Sequence, residues 1–299
     1  MQTARIASAL FASLAAAVYL ACGSDPDSTF EPVDGGKDSA GGQSEAGKDT
    51  GGIIGDDPDA ETQVPATDVD VVITTDNAYA FAWGNASGLA TLKGRPITNG
   101  ASDIFDCPVN TTGSGAAGFG PESYVVAAAD APTNGFLYIV GWDDNSVTQG
   151  VLAQFKRRGG AAVYSGASSW EVCATGEFYN SIPGSGTSDG PSIATVNTDI
   201  GRCNAGSIDT TKGSGGWVNT AGAVVAGSVG KLAVGEDNSD ASGQFPITCQ
   251  LDNFGNAGVD AQAKWMWYTP DARNAFSDRD TRSYLIFRIP TKALPPPPN

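Results

Sequence analysis

The sequence predicts an all-β protein, an antiparallel β-sandwich of the jelly-roll kind with long loops. Short runs rich in β-branched and aromatic residues recur between residues 67 and 292, and clusters of Gly, Asn, Asp and Ser separate them. Such runs are typical of strands, and many short strands joined by polar turns are typical of a sandwich or a barrel. No window keeps apolar residues at the three- and four-residue spacing of a helix, so we expect few helices.

The predicted strands follow one another along residues 67–292, and several of them alternate apolar and polar positions. They cover residues 69–74, 79–83, 123–127, 136–142, 151–155, 169–173, 231–234, 264–268 and 284–289. Residues 180–230 are richer in Gly and Ser, and we expect long loops there around one short strand or helical turn. Residues 293–299 form a Pro-rich tail.

The first 21 residues have the layout of a signal peptide. Arg5 precedes an apolar and small-residue run over residues 6–21, and the run stops at Cys22. It is too short and too rich in Ala to span a membrane comfortably, because a span takes about 20 strongly apolar residues. The sequence therefore predicts an exported protein whose residues 1–21 are removed.

The residues before the first cysteine resemble the lipobox of bacterial lipoproteins. They are Tyr19, Leu20 and Ala21, followed by Cys22. The resemblance implies that the Cys22 thiol carries a lipid, which places the protein in the cell envelope, at the outer membrane or the cell surface. The alternative is ordinary cleavage near Ala21, which leaves Cys22 as a spare thiol.

Residues 22–66 predict a disordered acidic linker. Between residues 23 and 66 the chain has 11 acidic residues against two lysines, so more than half of the net charge of −16 lies there. Such a segment cannot bury enough apolar surface to offset its ordering entropy, and its charges repel one another. We expect it to act as an extended tether between the lipid and the sandwich.

The remaining cysteines predict disulfides. Five cysteines are an odd number, but Cys107, Cys173, Cys203 and Cys249 can pair completely once Cys22 carries lipid. Four cysteines in an exported protein allow three connectivities, which sequence alone leaves open. The pairing we favour is Cys173 with Cys203 and Cys107 with Cys249.

Three segments resemble the galactose-binding-like β-sandwich of accessory domains in bacterial glycosidases, including α-L-rhamnosidases. The first spans residues 73–83, the second combines residues 136–145 with 149–155, and the third combines residues 263–267 with 284–288. The third module comes last here, whereas in rhamnosidases it comes first. The resemblance implies the fold, but it does not transfer a particular sugar site to this chain.

Two polar strand ends and two tryptophans are the candidate ligand-binding residues. Asp76 and Asn77 end one predicted strand and open the next, where their oxygens hold either local backbone amides or a sugar hydroxyl or Ca²⁺. Trp83 and Trp142 lie at strand ends beside polar loops. Each ring belongs either to the sandwich core or to a face on which a sugar stacks.

A third polar cluster is the candidate metal site. Asp143, Asp144 and Asn145 follow a predicted strand, and adjacent carboxylates repel one another unless water or a cation separates them. Ca²⁺ is the cation that such oxygen ligands suit, and a solvated loop is the alternative. Residues 236–240 form a further oxygen-rich loop that lacks EF-hand spacing.

The composition argues against catalysis and against nucleic-acid binding. The chain has no histidine, which removes Ser–His and Cys–His bases and His-ligated zinc. Residues 186–190 match G-x-S-x-G by letter, but no apolar strand and helix flank them as a nucleophile elbow requires. Residues 156–158 are an isolated basic cluster in an acidic chain, so we expect no nucleic-acid partner.

The sequence thus predicts a non-catalytic envelope lipoprotein that binds a carbohydrate or another surface polymer. Its rival is a structural or adhesive surface protein whose sandwich contacts other proteins and has no sugar site. Exposed tryptophans beside a concave polar patch would favour the first, and an open edge strand would favour the second.

Overall fold

Two antiparallel β-sheets form the computed structural model, which describes residues 67–76, 78–93, 104–105, 120–142, 148–178, 190–250, 258–277 and 283–298. The strands are β1 Val69–Asp76, β2 Ala78–Asn85, β3 Gly88–Lys93, β4 Glu122–Val126, β5 Phe136–Trp142, β6 Gly150–Arg157, β7 Ala162–Tyr164, β8 Glu171–Phe178, β9 Val218–Asn219, β10 Gly222–Ala223, β11 Lys231–Asp237, β12 Lys264–Thr269 and β13 Ser283–Pro290. One α-helix, α1 Ile193–Ala205, and short 3₁₀ turns at Ala128–Asp130 and Thr291–Ala293 complete the described elements. The predicted all-β sandwich is confirmed.

Sheet A has the order β11-β12-β6-β1-β4, with β7 also beside β6. β1 pairs with β6 along its whole length, from Val69 opposite Arg157 to Asp76 opposite Gly150. The other edge of β6 is shared, because β7 pairs with residues 154–156 and β12 meets β6 at Val151. β11 is therefore the last strand on one side of sheet A.

Sheet B has the order β10-β9-β8-β13-β5-β2-β3. Its central strands are buried on both faces, which explains why β2, β5 and β13 contain so few polar residues. One face packs against sheet A in a core of large side chains. In that core the Trp267 and Phe287 rings lie 5.9 Å apart and the Phe81 and Phe155 rings 6.0 Å apart, measured between centroids.

A second core covers the other face of sheet B. Val196 and Ile200 of α1 belong to it, together with Trp217 and with the small side chains of β2. A disulfide between Cys173 of β8 and Cys203 of α1 joins helix to sheet. This bond confirms the predicted Cys173–Cys203 pair.

α1 lies where the sequence predicted long loops around one short strand or helical turn, and its 13 residues make it much longer than that turn. Ser192 begins the helix by accepting a hydrogen bond from the Thr195 N–H at 3.1 Å. Gly206 ends it in the left-handed conformation, with φ of 66°. No helix in the described part of the chain is long and apolar enough to cross a membrane.

The second predicted disulfide is described at one end only. Cys249 is disulfide-bonded, whereas Cys107 lies outside the described residues. The Cys249 N–H donates to the carbonyl of Phe105 at 2.8 Å, and Phe105 is two residues before Cys107 in the sequence. That backbone contact supports the predicted Cys107–Cys249 pair, which stays a prediction.

Candidate binding groove at the β11 edge

A groove of about 500 Å³ lies beside β11. Residues 231–234 of β11, Thr269, residues 271–276 of the loop after β12, and Thr220 of the β9–β10 turn line it. We call it the β11 groove. It combines an apolar floor, to which Leu232 and Phe276 contribute, with polar and charged walls, so it suits a ligand that carries both kinds of group.

The β11 groove follows the open edge of sheet A. Side chains alternate between the faces of a strand, so a groove on one face would touch every second residue. Here four consecutive residues, 231–234, line it, which places the backbone of β11 at the groove. β11 pairs with β12 on one side, and none of the described strands pairs with its other side. Unpaired N–H and C=O groups therefore face the groove.

The loop wall of the β11 groove is held by local hydrogen bonds. The Asp271 carboxylate accepts from the Arg273 N–H at 2.8 Å and from Arg273 Nε at 2.9 Å, and Asn274 Oδ1 accepts from the Phe276 N–H at 3.0 Å. Buried Gln149, just before β6, donates its Nε2 to the Ala275 carbonyl at 2.7 Å. The wall is thus formed before any ligand arrives.

The charge of the β11 groove differs from that of the whole chain. Lys231 and Arg273 are positive and Asp271 is negative, so the lining carries one net positive charge, against −16 for the chain. Arg273 pairs with Asp271, whereas Lys231 is exposed and forms no ion pair with any described residue. The backbone N–H and side chain of Arg273 hold the pKa of the Asp271 carboxyl below its usual value, so this carboxylate is a weak proton acceptor.

Asp76 lies at the same end of the sandwich as the groove. It ends β1 opposite Gly150, next to the Gln149 that holds the groove loop, and its carboxylate accepts a hydrogen bond from the Thr148 hydroxyl. The Asp76 side chain is buried, and its hydrogen-bond partner is the distant Thr148 hydroxyl rather than a local backbone amide. Asn77, the other half of this predicted pair, lies outside the described residues.

The two candidate tryptophans are buried and lie apart. Trp142 is 1% exposed, and Gly190 packs so closely over its ring that a Cβ there would lie 2.7 Å from it. Trp83 is 8% exposed. Trp142 pairs with Ala78 and Trp83 with Leu137, near opposite ends of the β2–β5 pair. Neither ring offers an open face for sugar stacking, so the structure places both in the core and joins neither with Asp76 in one exposed site.

The predicted metal site at Asp143, Asp144 and Asn145 lies outside the described residues. Within the described residues, no three Asp, Glu, Cys or His side chains are grouped as metal ligands would be. In the 236–240 loop, Asp237 and Asp240 accept from the N–H groups of Ser239 and Ser242 at 3.1 and 2.9 Å. These two carboxylates cap turns of the loop.

The sequence interpretation predicted β11 and β12 as strands but placed no site beside them. Residues 271–276 do carry a local signal, because an Asp and an Asn each precede a possible turn of the backbone. The position of β11 at a sheet edge has no such signal, since it depends on the order of strands far apart in sequence.

Comparison with known proteins adds no identification: the chain matches no protein-family model, no curated protein and no solved structure.

Proposed function

We propose that this chain is a non-catalytic cell-envelope lipoprotein, anchored through Cys22, whose sandwich binds another protein in the β11 groove. The open edge of β11 is the observation that carries the proposal. An unpaired strand edge inside a preformed groove is a ready site for another chain, because main-chain hydrogen bonds supply affinity without special side chains. Of the two functions expected from the sequence, contact with other proteins is therefore the better supported.

The ends of the sandwich support a tethered role. The Thr67 carbonyl, at the start of the domain, accepts a hydrogen bond from Arg157, the last residue of β6, which pairs with Val69 at the beginning of β1. The groove loop is held by Gln149, which lies beside the far end of β1. The eight residues of β1 span roughly 26 Å at 3.3 Å per residue. Thr67, the first described residue of the sandwich, thus lies at the end of β1 opposite to the groove.

Carbohydrate is the second candidate ligand, and the polar lining of the groove favours it. Lys231, Asp271 and Asn274 could each hydrogen-bond sugar hydroxyls, and the Phe276 ring lies beside them. Against it, both predicted stacking tryptophans are buried. We further propose that the sandwich is of the galactose-binding-like kind, with which its two antiparallel sheets are compatible, and that Ca²⁺ binds at Asp143, Asp144 and Asn145.

A groove-filling variant tests the proposal. Ala272 is exposed on the groove wall, so Ala272→Trp should fold normally and fill the groove. Ala161→Trp is the matched control, because Ala161 is exposed in the β6–β7 turn at the opposite end. The disulfide-intact chain would be screened against glycan, polysaccharide and displayed-peptide panels, with and without EDTA.

We expect ligands whose binding is lost in Ala272→Trp and kept in Ala161→Trp. Equal binding by both variants would remove the groove from the function, and loss of binding only with EDTA would move the site to the proposed Ca²⁺ ligands. Labelling with a fatty-acid probe tests the anchor separately. Label should be absent from Cys22→Ser, and label that persists there would contradict lipidation at this residue.

A further inference from the structure

We propose that the ligand of the β11 groove is an extended polypeptide segment with an acidic side chain, which adds to sheet A beside β11. This inference rests on the proposed function, because it names the ligand of the same groove. It has three parts: a backbone edge of defined length, a side-chain pattern along that edge, and a charge preference.

The usable edge is short. β11 pairs regularly with β12 from Lys231 to Val234, and an irregularity then shifts the register before Asp237. At Gly235 the Phe276 ring closes the groove, since a Cβ on this glycine would lie 2.8 Å from the ring. A partner strand can therefore pair with about four residues, or roughly 13 Å of β11. Longer pairing would meet both the irregularity and the ring.

The side chains along this edge alternate in character. Lys231 and Ala233 share one face, and Leu232 and Val234 share the other. Val234 is 37% exposed although its neighbour Leu232 is buried, so an apolar partner residue beside Val234 would cover it. Cross-strand pairs of β-branched residues stabilise a sheet. The partner is thus amphipathic, with β-branched residues on the Val234 face.

Lys231 sets the charge of the partner. Its ammonium is exposed and forms no ion pair with any described residue. A carboxylate opposite it would gain a cross-strand ion pair, whereas a lysine or arginine there would be repelled. A second copy of this chain is the less suitable occupant, because each copy carries a net charge of −16.

The test uses displayed octapeptides selected on the full-length chain, followed by binding measurements with the enriched peptides. We expect an enriched pattern that alternates β-branched residues with at least one Asp or Glu. Methylation of alternate backbone nitrogens, on the edge that would face β11, should weaken binding about tenfold or more, because two main-chain hydrogen bonds are lost. Methylation of the intervening nitrogens should change binding little.

Charge reversal supplies the second readout. Lys231→Glu should weaken the binding of acidic peptides about fivefold or more and strengthen the binding of basic ones. Lys292→Glu is the matched control, since Lys292 is exposed in the Thr291–Ala293 turn near the Thr67 end, and it should leave binding unchanged.

Three results would overturn the inference. The selection could enrich no peptide, the peptides could bind equally well with any backbone nitrogen methylated, or Lys231→Glu and Lys292→Glu could change peptide binding equally. If glycans instead bind in the groove and are lost in Ala272→Trp, the groove stands as the binding site for the second candidate ligand and the strand-addition inference fails. If sedimentation shows that the chain dimerises through the groove and Lys231→Glu abolishes the dimer, the occupant is a second copy and the inference also fails.

Discussion

At the residue scale, two buried arginines have their charges stabilised in different ways, one by an ion pair and the other by backbone carbonyls. Arg288 lies 3.7 Å from the Trp217 ring centroid and pairs with Glu171 at 2.7 Å. Arg157 is 2% exposed and forms no ion pair in the described part of the chain. Its guanidinium instead donates to the carbonyls of Thr67 at 3.2 Å, Ala131 at 3.0 Å and Thr291 at 3.4 Å.

Arg157 therefore joins the start of the domain to two turns that are distant in sequence. Burial lowers the pKa of its guanidinium from the usual value, but arginine keeps its proton, so the charge persists. A positive charge that only carbonyl dipoles stabilise is costly in itself. The Thr67 and Ala131 carbonyls have no other donor among the described residues, whereas the Thr291 carbonyl also accepts from the Leu294 N–H at 3.1 Å. The guanidinium therefore mainly satisfies the first two carbonyls.

Arg157→Ala should lower the free energy of unfolding by about 2–4 kcal/mol, because it leaves the Thr67 and Ala131 carbonyls unpaired and opens a cavity. Urea denaturation would measure the change. Arg158→Ala is the control at the next position, since Arg158 is exposed and pairs with Asp68 and Asp70 at the surface. It should change stability little. Equal losses in both variants would show that Arg157 has no special role.

At the scale of elements, strands with dense apolar sequence were predictable and weakly patterned elements were not. The prediction for residues 136–142 coincides with β5, and the 231–234 and 264–268 predictions lie within β11 and β12. β3, β7, β9 and β10 were missed. Three of these four have two or three residues, so they take their extended form from the neighbours they pair with rather than from their own composition.

α1 was missed because its buried face is narrow. Only Val196, Asp199, Ile200 and Cys203 are buried, and Gly201 interrupts the sequence between them. The signals that could have found this helix are at its ends, namely Ser192 as N-cap and Gly206 after the last turn.

The β11 groove was missed for another reason. Its walls come from segments around residues 220, 231 and 271, and only the sheet order brings them together.

The disulfide that joins β8 to α1 should contribute much of the stability of that element. The 30-residue separation of Cys173 and Cys203 corresponds to about 3–4 kcal/mol by chain entropy. We expect the free energy of unfolding of Cys173→Ala/Cys203→Ala, measured by urea denaturation, to fall by about that amount. In hydrogen exchange, the amide protons of α1 should exchange faster than those of β5. Replacement of both cysteines is needed because a reductant would also open the bond at Cys249.

Ser192→Ala provides the matched comparison within the same helix. It removes one N-cap hydrogen bond, so it should cost only about 1 kcal/mol. If the double cysteine variant were no less stable than Ser192→Ala, the helix would be held by its packing on sheet B rather than by the disulfide.

At the scale of the whole molecule, the segment before residue 67 and the sandwich differ in their polar groups. Half of the net charge of −16 lies before residue 67, whereas the sandwich buries hydroxyl groups within its cores. The Tyr79 hydroxyl donates to Glu122 Oε2 at 2.8 Å and lies 2.9 Å from the Tyr124 hydroxyl, and the Tyr284 hydroxyl donates to Asp199. Burial, together with these carboxylates, raises the pKa of Tyr79 and Tyr284 well above the usual value.

These phenols make the sandwich sensitive to alkali. Burial raises the pKa of Tyr124, Tyr138 and Tyr268 from 10.0 to about 12. Between these two values the unfolded chain has lost phenolic protons that the folded chain keeps. The unfolded state then binds fewer protons, so the free energy of unfolding must fall as the pH rises above 10. Below pH 10 both states are protonated, and this contribution is fully present.

Urea midpoints measured from about pH 9 to pH 12 should therefore be level at first and then decline. Tyr268→Phe should make the decline shallower, because it removes one of the phenols whose pKa is raised by burial. The variant should still fold, since Tyr268 donates only one hydrogen bond, at 3.2 Å to the Val229 carbonyl, and its ring would remain packed. A midpoint that stays constant across this range, or a decline in Tyr268→Phe as steep as in the parent chain, would mean that water reaches these hydroxyls and that the cores are more open than their burial indicates.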